Sequence, residues 1–333
     1  MKIPQYINLI IYNILIISTI IVISSTNIFI IWISLELNIF SFVPLLISKS
    51  TYNETETSIN YFLAQSLGST IFLFSIFSLI RLHLFIKFNT ILITISILLK
   101  IGTFPCHYWF PTTIEKTRWV NCLILSTWQK IAPLFIILYV IKLKTSSDQT
   151  LISIISSLNA ITGGLIGLRQ TSLKKVIAYS SITHIGWILR RLRINTPCIS
   201  VAYFIVYSII ITPLFIFFNK TNINKIIDLW DKQKYSILWN ISIIITLLSL
   251  GGLPPLTGFM PKLLFISILL NYSTTIILIL IIGSLINLFF YINIRINILI
   301  RYQENNNKKI NISINIINYI LITNFLGFIL ILL

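Results

Sequence analysis

The sequence predicts an all-α polytopic membrane protein of about 11 transmembrane helices, and three observations predict it. Of 333 residues, 56% are hydrophobic and 10% are charged, with a mean hydropathy of +0.93. A soluble domain carries about 25% charged residues. Apolar runs near the ~20 residues that cross a bilayer recur along the whole chain. The linkers between them are short and polar, such as SKSTYNETE (48–56), LKTSSD (143–148) and RYQENNNKK (301–309), and no soluble domain fits among them.

In chain order the candidate spans lie near 4–25, 27–48, 57–80, 88–109, 117–141, 150–168, 172–189, 197–218, 236–269, 272–294 and 313–332. The first carries one charge, Lys2, runs on to Ile23 and shows no small-residue cleavage site, so it reads as a retained span rather than a signal peptide. The ninth is over-long because it contains a break. The net charge of +17 and pI near 9.9 would point to nucleic acid in a soluble chain. Here the cations sit in linkers, and no basic patch interleaved with exposed aromatics exists to hold a nucleic acid. Lys and Arg number 15 on the N-terminal and even-linker side and 7 on the other. That bias places the N-terminus on the negative, interior side and the C-terminus opposite. Isoleucine, asparagine, lysine, phenylalanine and tyrosine are abundant, and their A/T-rich codons point to an organellar or otherwise A/T-rich genome.

The break lies at 251–262, GGLPPLTGFMPK, between ISIIITLLSL (241–250) and LLFISILL (263–270). Gly251, Gly252, Gly258, Pro254, Pro255 and Pro261 would interrupt any helix passing through. The flanking runs are apolar enough for lipid yet too short to span alone, and an unpaired backbone group in lipid costs several kcal/mol. The expected structure is a transmembrane helix broken at mid-depth, with Lys262 just after the break. The competing arrangement is a tight loop with Lys262 at the membrane surface. A broken helix beside an intramembrane charge is the construction of ion-coupled transport sites. A weaker break follows Lys100 in ISILLKIGTFPCHYWFP, at Gly102 and Pro105, with Pro111 beyond. Span 4 of the first five and span 9, the fourth of the next five, are then both interrupted and both carry a lysine. This points to an inverted repeat. The expected organisation is one transmembrane domain, 1–333, made of a first repeat 1–145, a second repeat 146–300 and a C-terminal helix 301–333.

Four charges fall inside predicted spans: Glu36, Lys100, Lys130 and Lys262. Each costs about 2.5–3.5 kcal/mol at mid-depth on insertion scales. One acid cannot pair with three lysines at once, so the inventory suggests a proton relay rather than a static ion pair. Lys130, in LILSTWQKIAPLFIIL, is too central to reach the surface by snorkelling, and Pro133 is expected to loosen its helix. His184, in KKVIAYSSITHIGWI, either passes protons among the neighbouring hydroxyls or is packed and bonded to an adjacent helix. Gln65, Ser66 and Ser69 line water or serve as helix–helix contacts. His107 and His83 read as structural or solvated. Cys106, Cys122 and Cys198 are single and widely spaced, and Cys106 beside His107 is no ligand set, so no metal, haem or iron–sulfur site is expected.

WISLELN (32–38), LLKIGTFPCHYWFP (98–111), TWQKIAP (127–133), LKKVIAYSSITHIGW (173–187) and LSLGGLPPLTGFMPK (248–262) resemble, in order and spacing, the NADH–ubiquinone oxidoreductase chain 2 family. These are the antiporter-like membrane subunits of respiratory complex I. The resemblance extends to about residue 265. It implies antiporter-like inverted five-helix repeats with two discontinuous helices, and proton translocation coupled to electron transfer from NADH to ubiquinone elsewhere in the complex. It implies Glu36 and Lys100 as an ion pair near the start of the relay, Lys130 as central carrier, His184 as bridge and Lys262 as terminal lysine. It also implies no cofactor in this chain, with NAD, FMN, iron–sulfur clusters and ubiquinone on other subunits. Membrane-arm and accessory subunits, with phospholipids including cardiolipin, are the implied partners. The implied location is the mitochondrial inner membrane, N-terminus in the matrix and C-terminus in the intermembrane space. Cys106 and Tyr108 stand where phenylalanines are usual, and Thr112 where an acid is common. Two other readings share part of this pattern: a free-standing cation/proton antiporter, and an inert structural subunit.

Overall fold

A computed structural model of the chain describes residues 5–47, 51–81, 86–142, 146–192, 197–226, 228, 237–269, 274–302 and 324. They form α1 (Gln5–Ser24), α2 (Ile28–Leu46), α3 (Tyr52–Arg81), α4 (Ile86–Ile101), α5 (Trp109–Lys116), α6 (Trp119–Ser126), α7 (Trp128–Lys142), α8 (Ser146–Leu168), α9 (Leu173–Leu192), α10 (Pro197–Thr221), α11 (Ile237–Gly251), α12 (Phe259–Leu269) and α13 (Thr274–Tyr302). The fold is all-α, as predicted. Among the described residues extended pairing is limited to one bridge, Ser172 with Lys225.

Among the described residues seven stretches are long and apolar enough to cross a membrane: α1, α2, α3, the α6–α7 stretch Trp119–Tyr139, α8, α10 and α13. The fourth and ninth predicted spans are made of shorter apolar helices, α4 and then α11 with α12. The seventh is α9, too polar to qualify by composition, and its side chains from Val176 to Arg190 are all buried. The eleventh, 313–332, lies outside the described residues apart from Asn324. Two boundaries move. Residues 52–56 and 146–148, expected in linkers, are the first turns of α3 and α8.

The helices gather into two compact units, Met1–Ile152 and Ser153–Leu333. In the first, Asn27 caps α2 by accepting from the Phe29 N–H at 3.0 Å, a favoured role for asparagine. Gly68 of α3 lets α4 come close, for a Cβ there would lie 2.9 Å from Lys100 Cγ. The early start of α3 places Glu54 and Glu56 against the α5–α6 corner. Glu54 accepts from Arg118 Nε at 2.9 Å and Glu56 pairs with Lys116. Two cations counted in the topology bias are thus neutralised locally. In the second unit, small residues bring α8, α9 and α13 together. Gly163 faces Thr183, Gly186 faces the Ser156 carbonyl, and Gly283 faces the Ala160 carbonyl, all within 2.5–2.8 Å of a notional Cβ.

Hydroxyls in these apolar helices turn back on their own backbone. Ser66 donates to the Leu63 carbonyl and Ser69 to that of Ser66, while Ser180, Ser181 and Thr183 donate to the carbonyls of Ile177, Ala178 and Ser180.

Candidate functional site

Both broken helices end in the same way. At Gly102 (φ 75°) the backbone enters the left-handed region. The Gly102 N–H bonds the Leu99 carbonyl at 3.1 Å and the Thr103 N–H bonds that of Leu98 at 3.2 Å. At Gly252 (φ 82°) the N–H bonds the Ser249 carbonyl at 3.0 Å and the Leu253 N–H bonds that of Leu248 at 3.3 Å. This paired closure is the Schellman motif, and glycine supplies its positive φ without a Cβ penalty. Non-helical stretches of equal length follow, 102–108 and 252–258, and each second half-helix opens on an aromatic residue with proline two positions on. GTFPCHYWFPT (102–112) and GLPPLTGFMPK (252–262) therefore match in register, with Gly102, Pro105 and Pro111 at the places of Gly252, Pro255 and Pro261. Proline there lies in the first helical turn, where its missing N–H costs little.

The two lysines sit on opposite sides of their breaks. Lys100 belongs to the last turn of α4, before the break. Lys262 belongs to the first turn of α12 and reaches back, donating to the Gly251 carbonyl at 2.7 Å and lying 3.5 Å from that of Leu250. An ammonium there faces the partial negative charge at the C-terminal end of α11. In the first break neutral donors serve this helix end. Gln65 Nε2 bonds the Lys100 carbonyl, the equivalent of Leu250, at 3.0 Å, and Trp109 Nε1 bonds that of Leu99, one residue earlier, at 2.9 Å. The second break is also tighter. Gly258 rests on the Ser249 carbonyl, which a Cβ would approach to 1.7 Å, whereas its counterpart Tyr108 is exposed. The Thr257 N–H bonds the Asn324 carbonyl at 3.3 Å.

All three expected lysines are buried: Lys100 5%, Lys130 2% and Lys262 6% exposed. In the first unit, Glu36 is half-buried on α2 and close enough for its charge to act on Lys100, with no direct ion pair between them. Lys130 Nζ lies 4.3 Å from the centroid of the Phe110 ring, a cation–π arrangement. Phe110 in turn packs on Gly102, so the first break and Lys130 share one contact. A small cavity of about 10 Å³ between α2, α3, α4 and α7 is lined by Lys100, Asn38, Gln65, Tyr61 and Gln129.

In the second unit, His184 Nδ1 lies 2.8 Å from the Tyr203 hydroxyl on α10, and its ring is tilted against Tyr207 at 5.0 Å. A cavity of similar size joins His184, Tyr203 and Tyr207 to Ser249, Gly258 and Pro261 of the second break. Asn287 of α13 donates to Thr183.

Two features escaped the sequence reading. Arg190, counted with the linker cations, is fully buried in α9. The apolar continuation Ile188–Leu189 in line with buried Trp187 was the available signal. The loosening expected at Pro133 is found instead at Thr127, where α6 ends and α7 begins. The Thr127 hydroxyl bonds the Leu123 carbonyl at 2.7 Å. Pro133 is accommodated inside α7, and Lys130 lies in the first turn of α7, just after that interruption. No group of three or more His, Cys, Asp or Glu suited to a metal occurs among the described residues.

A family model described as NADH:quinone oxidoreductase/Mrp antiporter, TM, matches residues 25–287. The NADH-ubiquinone oxidoreductase chain 2 of Lumbricus terrestris is 42% identical over 284 residues, 85% of this chain and 84% of that protein. The chain belongs to the NADH-ubiquinone oxidoreductase chain 2 family. The Anopheles gambiae member is 39% identical over 322 residues, 92% of each chain. The fold extends beyond that family. A chain of respiratory complex I from Thermus thermophilus superposes with a TM-score of 0.83 at 18% identity, covering 100% of this chain and 78% of its own. One from the Mrp complex of Dietzia gives 0.74 at 16%, covering 86% and 59%. The span matched by the family model contains both breaks and Glu36, Lys100, Lys130, His184 and Lys262.

Proposed function

We propose that this chain is a membrane-arm subunit of respiratory complex I that takes part in proton translocation, coupled to electron transfer from NADH to ubiquinone elsewhere in the complex. The observation that carries the reading is the placement of Lys100 and Lys262, both buried, beside two matching helix breaks in short apolar half-helices. Glu36 and Lys100 act as an interacting pair at one end, Lys130 is the central carrier, His184 with Tyr203 a bridge, and Lys262 the terminal group.

In this reading the two breaks belong to antiporter-like repeats, 1–145 and 146–300, followed by a C-terminal helix, 301–333. The in-register match of 102–112 with 252–262 supports that division. The chain itself holds no redox group or metal, and NAD, FMN, iron–sulfur clusters and ubiquinone reside on other subunits. Other membrane-arm and accessory subunits surround it, with phospholipids such as cardiolipin at its edges, in the mitochondrial inner membrane with the N-terminus in the matrix. The likeness to an Mrp complex chain keeps a cation/proton antiporter as the second reading.

Purification of the native assembly in mild detergent tests both. Co-purification with NADH:ubiquinone reductase activity, and NADH-driven acidification of reconstituted vesicles, is the expected result. A chain that migrates alone and exchanges Na⁺ for H⁺ without NADH overturns it in favour of the antiporter.

A further inference from the structure

The cavity in the first unit is surrounded by donors that find no partner there. Lys100 Nζ, Asn38 Nδ2 and Gln129 Nε2 are all buried without a hydrogen-bond partner, and all three residues line this one space. Asn38 and Lys100 are each 5% exposed. Leaving a buried polar group unsatisfied costs about 1–3 kcal/mol, and three such groups belong to residues that line one space. A volume of about 10 Å³ is on the order of one water, which typically makes about three hydrogen bonds to such groups.

We infer that this cavity is an ordered-water site in which the side-chain amide of Gln129 turns with the protonation state of Lys100. The inference rests on the proposed function, in which Lys100 titrates. Two amide donors beside it suit the neutral amine. The water accepts from the Asn38 and Gln129 amides and donates one proton to the lone pair of Lys100 Nζ. When Lys100 is an ammonium it has no lone pair and must donate. The water then accepts from Nζ and from one amide, and its own hydrogens need an oxygen. Gln129 is the group that can supply it, because its amide is held only by the Tyr61 hydroxyl at a long 3.4 Å. Rotation of that amide exchanges N–H for C=O at the cavity. Gln129 immediately precedes Lys130, so a change at Lys100 is passed to the first turn of α7 without contact between the two ammonium groups. Around this site the titratable groups are Glu36 on α2, Tyr61 on α3 and Lys130 on α7. Tyr61 steers the amide, and Lys130 follows Gln129 in the chain. Gln129 is a positioning residue in this scheme, since it carries no proton itself.

A map of the native complex at a resolution that shows waters is the first test. Density for one water within about 3.2 Å of Lys100 Nζ and of the Asn38 and Gln129 side chains is expected. A cavity closed by side chains, or a map with no water there, overturns the inference. Variants supply the second test. Gln129→Met keeps length and removes hydrogen bonding. It is expected to lower protons pumped per electron pair several-fold in the assembled complex, and Gln129→Glu, which keeps the shape but offers no amide N–H, is expected to share the loss. Lys100→Met separates the two ideas. If Lys100→Met pumps normally, the relay reading fails. If Lys100→Met is impaired while Gln129→Met pumps as the native complex does, the amide switch alone is wrong. A Gln129→Met chain that does not assemble leaves the decision to the water density.

Discussion

Lys262 Nζ donates to the Gly251 carbonyl at 2.7 Å, so a charge on the second half of a broken helix closes the end of the first. Gly252 makes room for that reach. A Cβ at Gly252 would lie 2.7 Å from Lys262 Nζ and 2.9 Å from its Cδ. Gly252→Ala must therefore displace the lysine, besides incurring about 1–2 kcal/mol for a left-handed non-glycine residue. The expected outcome is an assembled complex with pumping lowered to the level of Lys262→Ala. Gly251→Ala meets only ordinary contacts with Leu288 at 3.4 Å and should retain native pumping. Equal behaviour of the two alanine variants in a proton-to-electron measurement would contradict this account.

Gly258 is fixed by a harder constraint. Its Cβ position overlaps the Ser249 carbonyl oxygen at 1.7 Å, backbone against side chain, with no flexible group to yield. Gly258→Ala is expected to destabilise the break by more than about 3 kcal/mol. Native gel electrophoresis should show loss of the assembled complex, and a normal amount of assembled complex would refute the geometry.

Lys130→Ala removes the ammonium that lies over Phe110. The complex should assemble, because an apolar side chain is tolerated in that setting, and the protons pumped per electron pair should fall. Lys130→Arg should not restore them, since a guanidinium does not release its proton on turnover. Normal stoichiometry in either assembled variant would remove Lys130 from the relay.

Glu36 acts on Lys100 through its charge without forming a contact pair, so its influence acts across a gap. Glu36→Gln keeps the shape and removes the charge. Turnover coupled to pumping should drop several-fold, with assembly retained. If the variant turns over as the native complex does, the electrostatic partnership is irrelevant to function.

Orientation has a direct check. A protease added to intact mitoplasts should clip a tag at the C-terminus and spare one at the N-terminus. The reverse pattern would show that the span count or the charge bias has been misread.

The sequence carried the helices, the two breaks and the three buried lysines because each leaves a local mark. Glycine and proline interrupt an apolar run, and a lysine inside such a run is conspicuous. Two outcomes needed the third dimension. Arg190 sits beside Arg191 at a helix end, where a charge pair ordinarily marks the surface, and only packing around α9 shows that it is buried. Thr127 carries no breaker residue, while Pro133, which does, lies inside a helix. The match between 102–112 and 252–262 was present as a string. Too few identities make it visible, and the shared Schellman closure was needed to set the register. The side of its break from which each lysine approaches depends on side-chain direction, which no one-dimensional pattern encodes.

The wrapping of α9 has a consequence for biogenesis. This helix carries a histidine, several hydroxyls and a buried arginine, and lipid would be a poor solvent for it. Its sheath comes from α8 and α10, adjacent in sequence, and from α12 and α13, translated much later. During synthesis α9 therefore enters the bilayer before half of its covering exists. The second unit must be completed in steps, with α9 held by the insertion machinery or by its sequence neighbours until α13 arrives. A chain truncated before Thr274 would lack the α13 part of that sheath and leave one side of α9 uncovered.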